Sequence, residues 1–507
     1  MADARRAPAE EVEPRRAGAR EALGLSGRLS PAGAWGLIGT LLALIAINLP
    51  ELGSDPWPFR PGSADPSGVL APLVRAAGEE WDVGIARAAA LLAALAVALV
   101  ATWALRRRGG WPAWGGTALA VGVALALLLP STLLQIGLRD ATDPWFFTND
   151  STYQIEIAGD LILDGESPYG HDYRFSGMER FYSFDGSASD RIRETEVPLE
   201  HYAYTPGTAI SSAAWRAVVP GPFDDYRLLV LLATIGGFFA VVAFRGPLAW
   251  RLALGAVVVA NPIAVRSAWF GQNDAPALTL TILAFALASR GRLRWAAAVL
   301  AGAVLFKQFA VVALPFLALM ALKQLADRRA DGTDAAASAT DAPATRSLRA
   351  ALAGGAGREL LRLGAIFAAV FAVACAPFVI ADPVAFWEDV VEFGAGTYKI
   401  VGYGLSAMLV RAGIVDDRDG AYPFALIALL TWAPLTAYLL VQVHRARQLW
   451  PAAAGLAISL LVLLFIGRTF NNYYLVWPLT AAIVAAATAA WEGTFDARRT
   501  GRDGPSS

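Results

Sequence analysis

"NPIAVRSAWFGQNDAPALTLTILAFALASRGRLRWAAAVLAGAVLFKQFAVVALPFLAL", Asn261 to Leu319, is apolar for almost its whole length. It is interrupted by a polar turn at Gly271–Pro276, a basic run at Arg290–Arg294, and a lone Lys307. A bilayer core of about 30 Å needs roughly 20 apolar residues per helix. The stretch therefore reads as membrane helices, 275–289 and 294–321, following a third at 250–268. Pro and Gly in "NPIAVRSAWFGQNDAP" predict helices that break inside the membrane. Such breaks are tolerated only where protein or a water-filled cavity takes up the freed backbone groups.

Worked outward, the same pattern recurs at 33–50, 84–105, 115–138, 205–220, 226–245, 360–381, 422–443, 450–466 and 473–490. The expected fold is an all-α polytopic membrane protein of about 12 spans, roughly 10 to 13. Composition agrees: 56% of the 507 residues are hydrophobic and the mean hydropathy is +0.47, too apolar for an ordinary soluble domain. A net charge of −1 gives no reason to expect nucleic acid. The single cysteine, Cys375, excludes an internal disulfide framework. Three scattered histidines (His171, His201, His444) lack zinc-site spacing. No Walker loop, G-x-S-x-G elbow or Rossmann fingerprint occurs. No cofactor is expected; His171 and Asp172 with Asp150 are the one conceivable metal set, which nothing else supports.

Arginine placement sets orientation, because basic loops stay cytoplasmic. The polar tail 1–32, "RRR" at 106–108, the linker after Lys323, "HRAR" at 444–447 and the tail 491–507 are basic, so both termini are expected inside. Strict alternation then puts 139–203 and 382–421 outside, and also "RGRLR" at 290–294, against the rule. A re-entrant hairpin within 294–321 would remove that conflict. The linker 323–358, rich in Ala, Asp, Thr, Ser and Gly, has the composition of a flexible connection between membrane blocks 33–322 and 359–490.

The first external stretch opens with "FTNDSTYQIEIAGDLILDGESPYG", Phe147–Gly170. Asp150 or Ser151 can cap a helix there, with Gln154 completing an S-x-x-Q capping box. Tyr153, Ile157 and Leu161 form an apolar stripe, and Gln154, Glu156, Asp160 and Asp164 the opposite face. Gly165 and Pro168 end it. The expectation is an amphipathic helix lying on the outer membrane surface after span three. In the second external stretch, "FWEDVVEFGAGTYKIVGYG", Phe386, Trp387 and Phe393 suit lipid, and glycines 394, 396, 402 and 404 suit a mobile lid.

The order "NDSTYQIEIAGDLILDGESPYG", "YAYTPGTAISSAAW", then the Asn261–Leu319 run resembles the GT-C membrane glycosyltransferases, and within them glycosyltransferase family 87. The motifs are Asp150 to Tyr153, Leu163 to Tyr169, Tyr204 to Pro206, Gly271 to Asp274, and Gly302 through Lys307, with "GRTFNNYYLVWPL" a weaker closing match. They span roughly residues 115–325. The acidic loop follows the third span here rather than the first, as two added N-terminal helices would explain. The Asp150–Tyr153 spacing is one residue shorter than usual.

What the resemblance implies is a GT-C-like bundle in the cell membrane, its active site facing outside. It would move a mannosyl or arabinofuranosyl unit from a polyprenyl-phosphate donor to the hydroxyl of an envelope glycan or glycolipid, with inversion. Such chemistry needs a carboxylate within about 3 Å of the acceptor hydroxyl and cations or donors for the leaving phosphate. Asp150 is the expected base, with Asp143 the alternative. Arg468, Lys399, His201, Arg266 and Lys307 are the candidates for the phosphate. Tyr153, Glu166, Tyr169 and Tyr204 are candidate substrate contacts, and Gln272, Asn273 and Asp274 a structural polar turn. The competing readings are a transporter or flippase of lipid-linked sugars and a non-catalytic envelope assembly protein. Transporters usually carry inverted repeats and midplane charges, neither of which is visible in this sequence.

Overall fold

The computed structural model describes residues 67–77, 128–142, 148–181, 199–261, 271–333, 355–397, 400–418, 420–446 and 448–500, with 263, 264 and 267. The expected spans 33–50 and 84–105, most of 115–138, the first tail and the "RRR" run lie outside these residues. The described helices are α1 (Ala71–Ala77), α2 (Leu129–Thr142), α3 (Asp150–Leu163), α4 (Gly207–Val218), α5 (Tyr226–Val242), α6 (Leu248–Ala260), α7 (Ala275–Ser289), α8 (Leu293–Phe306), α9 (Ala313–Thr333) and α10 (Gly355–Ala381). They continue as α11 (Pro383–Trp387), α12 (Leu405–Arg411), α13 (Phe424–Arg445), α14 (Trp450–Ile466) and α15 (Val476–Thr500). Two residues each of β1 (Val401–Gly402) and β2 (Thr469–Phe470) pair in parallel.

The protein is mostly helical, as the apolar runs require. Four helical stretches are long and apolar enough to cross a membrane: Gln308–Ala326, Gly355–Ala381, Phe424–Arg445 and Tyr473–Gly493. Five shorter apolar helices accompany them, at Tyr226–Val242, Trp250–Val259, Ala275–Ser289, Leu293–Phe306 and Trp450–Ile466. α15 is the central post. Its small face, Ala481, Ala482, Ala485, Ala486 and Ala487, is buried and lets neighbouring backbones come close. α10 and α13 stand at the periphery and turn Val373, Ile380, Leu429 and Leu430 outward.

The Asn261–Leu319 run resolves the orientation conflict. α7 ends in a Schellman turn: Arg292 N–H bonds the Leu287 carbonyl at 2.9 Å, Gly291 N–H bonds the Ala288 carbonyl at 2.8 Å, and Gly291 takes φ 73°. "RGRLR" is therefore a tight turn, and α8 packs back along α7. At Lys307 the chain becomes extended (φ −154°, ψ 123°), passes through a 3₁₀ turn at Gln308–Val312, and leaves as α9. So 294–321 is a hairpin and not one span.

The expected span 205–220 is corrected as well. α4 has 12 residues, about 18 Å, and runs alongside α3 in the same direction: Tyr204, just before α4, lies beside Asp150, Gly159 meets Ser212, and Arg216 reaches Asp160 at 2.7 Å. One span fewer before 290 and one more after it return "RGRLR" to the end that carries Lys323 and Arg445. Contacts there are consistent. Arg290 bonds the Ala243 carbonyl, Arg294 pairs with Glu359 of α10 at 2.9 Å, and Lys323 bonds the Ala446 and Gln448 carbonyls. α9 also stays helical to Thr333, beyond the linker start expected at 323.

Two further expectations change. Gly402 and Gly404 are packing glycines and not hinges. A Cβ on Gly402 (φ 88°) would collide with the Phe470 carbonyl oxygen, and one on Gly404 would sit 2.6 Å from the Phe465 carbonyl. α3, moreover, does not present Gln154 and Glu156 to water: both are buried, 6% and 3% exposed. The Glu156 carboxylate accepts two bonds from Arg139 of α2 (3.1 and 2.7 Å) and one from the Tyr226 N–H of α5 (2.9 Å). Asp225 binds the same Arg139 at 2.9 Å and Arg227 at 2.6 Å. A buried carboxylate is tolerable only when paired in this way. The network fixes the entrance of α3 to the bundle.

Candidate active site

Four segments meet at the end of the bundle opposite "RGRLR": the start of α3, the extended stretch 201–206, the turn 271–274, and the break at Lys307. The break is held from outside. Thr205 hydroxyl bonds the Val304 and Leu305 carbonyls (2.9 and 2.8 Å), and Gln308 Nε2 bonds the Ala203 carbonyl (2.8 Å). Those C-terminal carbonyls of α8 would otherwise lack partners. The stapling carries Tyr204 under the lysine.

Lys307 Nζ donates to Asn273 Oδ1 at 3.0 Å, lies 3.6 Å from the Asp274 carboxylate, and sits 4.9 Å above the Tyr204 ring. Trp477 Nε1, at the start of α15, donates to Asp274 at 3.1 Å. Thr152 hydroxyl bonds the Gly271 carbonyl, tying α3 to the turn. The Tyr204 hydroxyl is within hydrogen-bonding reach of the Ser151 and Asn273 side chains. Burial, and then the Asp150 charge beside it, hold that hydroxyl well above the usual tyrosine range. Asp150, Tyr204, Asn273, Lys307 and Asp274 thus form one polar chain at the rim of an apolar bundle. Gln272 is tied to Ser267 at 2.9 Å through its carbonyl oxygen, while its buried Nε2 finds no acceptor among the described residues.

α3 begins one residue earlier than the Asp150 or Ser151 cap expected. Asn149 is the N-cap, accepting the Ser151 N–H at 3.0 Å. Gln154 does not close a capping box; its Nε2 donates to the His201 carbonyl at 2.9 Å. His201 lies beside this cluster, its Nδ1 2.5 Å from Asp389 and its ring stacked on Phe393. Tyr169 supports the cluster from behind: its hydroxyl bonds the Tyr204 carbonyl at 2.9 Å and its ring packs on Phe378 and Phe386. Phe386 and Phe393 are thus spent on protein contacts, while Trp387 stays 55% exposed.

Other expected residues lie elsewhere. Tyr153 turns away, bonding the Ser176 carbonyl at 3.1 Å and packing on Phe181. Glu166 is exposed past the end of α3. Arg468 belongs to a clamp in which its own carbonyl accepts the Val401 N–H (3.2 Å) and its guanidinium donates to the Gly420 carbonyl (3.3 Å). Asp143, Arg266 and Lys399 lie outside the described residues. Among the described residues no group of three or more His, Cys, Asp or Glu could hold a metal. Sequence reasoning missed Arg139, Trp477 and Asp389. A charged residue directly after a span was the available sign of the first; Asp389 carries none.

Residues 153–323, about a third of the chain, match the family model described as alpha-(1->6)-mannopyranosyltransferase, N-terminal domain. The matched stretch contains Tyr204, the 271–274 turn and Lys307. Over it the chain is similar to GT-C-type mannosyltransferases, the class that the motif order resembles. The structure of ArnT from Cupriavidus metallidurans, solved bound to undecaprenyl phosphate, aligns with a TM-score of 0.42 at 16% identity, over 76% of this chain and 63% of that one. This chain therefore spans less than two thirds of ArnT. No curated protein sequence matches it.

Proposed function

We propose that the protein is an integral membrane glycosyltransferase that moves a mannosyl unit from a polyprenyl-phosphate donor to a hydroxyl of an envelope glycan or glycolipid. The observation that carries this reading is the polar chain from Asp150 to Asp274, at the rim of an apolar bundle and next to a short helix pair. A lipid-phosphate sugar presents its reacting carbon at that depth, with its prenyl chain among helices. The family match over 153–323 favours mannose over arabinofuranose. The end bearing Arg290, Arg294, Lys323 and Arg445 is the cytoplasmic one by the positive-inside rule, so the cluster faces outward and both termini lie inside.

In this mechanism Asp150 takes the acceptor proton as the hydroxyl attacks C1 from the face opposite the phosphate, inverting the centre. Tyr204, neutral and within hydrogen-bonding reach of Ser151 and Asn273, ties the start of α3, and with it Asp150, to the turn. Lys307, neutralised by Asp274, shapes the pocket and polarises its donors. The Gln272 Nε2–H is available to a sugar hydroxyl. These steps are written with side chains alone, and on this reading divalent-cation chelation should leave the rate unchanged.

The test is transfer from radiolabelled polyprenyl-phosphate mannose and arabinose to membrane acceptors by purified protein. Asp150→Asn should lower transfer by about 10²- to 10⁴-fold, the usual worth of a positioned base, with the folded protein intact. Activity within a factor of two of wild type would remove Asp150 from this role.

A further inference from the structure

Asp389 is buried to 1% exposure in the π-helical segment Glu388–Thr397, far in sequence from the cluster described above. An ionised carboxylate there must have both oxygens satisfied. Oδ2 accepts the Gly170 N–H at 2.9 Å, and Oδ1 lies 2.5 Å from His201 Nδ1. Phe393, one turn further along the same segment, stacks on the imidazole with centroids 5.2 Å apart and planes 24° apart. One segment thus grips the ring by edge and by face. The ring stays 26% exposed, and among the described residues its Nε2 has no protein partner.

Position gives that nitrogen a use. The His201 carbonyl is bonded by Gln154, which follows Asp150 by four residues on α3. That is one helical turn, about 6 Å along the axis. A base and a departing phosphate oxygen stand on opposite sides of one sugar carbon, a comparable span. Five other cations described near this end are committed. Lys307 is held by Asn273 and Asp274, Arg139 by Glu156 and Asp225, Arg227 by Asp225, Arg216 by Asp160, and Arg174 by Asp172 and Glu200.

We infer that Asp389 is a positioning residue for His201. It commits Nδ1–H to itself and so presents Nε2 to a phosphate oxygen of the lipid donor. The inference rests on the glycosyltransferase reading above. It makes the donor site a joint product of the two external stretches: Asp389 and Phe393 must dock on Gly170 and His201 before the imidazole is held. The shape-conserving Asp389→Asn keeps an acceptor for Gly170 but loses the charge that orders the ring.

The experiment measures sugar transfer, and separately the binding of undecaprenyl phosphate, for wild type, His201→Gln, Asp389→Asn, the double variant, and His171→Gln as control. Each single variant should lower kcat/KM for the donor and weaken undecaprenyl phosphate binding by about ten- to a hundredfold, as for one charge-assisted hydrogen bond. Acceptor KM and the control stay near wild type. On the His201→Gln background, Asp389→Asn should add less than twofold, since it acts through a ring already removed. Multiplying effects, or an Asp389→Asn protein with wild-type donor kinetics, overturn the inference and leave Asp389 a loop anchor. Should Asp389→Asn not fold, lipid binding by His201→Gln carries the test, and unchanged binding defeats it. A wild type that binds the lipid but transfers no sugar defeats the enzymatic reading alone.

Discussion

Replacing Glu156 with Ala probes the anchor that sets the site. The carboxylate is 3% exposed and receives both arms of Arg139 and the Tyr226 N–H. Two costs follow from its loss. The Tyr226 residue is fully buried, and a buried N–H stripped of its acceptor costs about 1–3 kcal/mol. Breaking a buried ion pair by removing one partner costs about 3–5 kcal/mol. Arg139 is 22% exposed and keeps Asp225 at 2.9 Å, so the lower part of that range applies and overlaps the first cost. The sum is about 3–4 kcal/mol. Asp160→Asn is the matched control on the same helix. Its carboxylate, 49% exposed, pairs with Arg216 at 2.7 Å, and exposed pairs contribute about 0–1 kcal/mol. Thermal unfolding of detergent-purified protein, followed by tryptophan fluorescence, should drop by several degrees for Glu156→Ala and barely for Asp160→Asn. Glu156→Gln, which keeps an acceptor, should fall between. Equal melting of the alanine variant and the control would mean that Glu156 faces water, and the anchor would be refuted.

Other expectations are simpler. Tyr204→Phe keeps the ring beneath Lys307 but loses the hydroxyl contacts to Ser151 and Asn273; transfer should fall about tenfold, with melting changed by no more than about 1.5 kcal/mol. The raised Tyr204 pKa stabilises the neutral form. That contribution is complete below the unfolded value near pH 10 and is lost only as pH rises through the folded value, so an alkaline loss of activity below pH 10 should persist unchanged in Tyr204→Phe. Gly402→Ala places a Cβ against the Phe470 carbonyl at φ 88° and should cost about 1–3 kcal/mol or more. Gly165→Ala, at φ 82° with open space around it, should cost only the left-handed backbone term of about 1–2 kcal/mol; equal melting of the two variants would remove the packing role of Gly402.

Part of this architecture was readable in the chain itself. The lengths of apolar runs determined that the protein is a helical membrane bundle, because bilayer thickness fixes how many apolar residues a crossing helix needs. Gly291 and the polar residues at 271–274 marked real turns, and the order of short motifs pointed to the GT-C glycosyltransferases. Tertiary structure alone decided the rest. The four-residue stripe on α3 reported amphipathicity, but a glutamate reads as polar whether it meets water or Arg139, so Glu156 was assigned to the wrong side. Alternation was misled by 205–220, apolar enough to cross but only 12 residues of helix, and by 294–321, where one lysine hides a reversal. His201 and Asp389 are 188 residues apart in sequence and carry no shared motif. Local pattern fixes what each segment can bury; only the folded chain decides which charges share a site, because charges pair through space and not along the sequence.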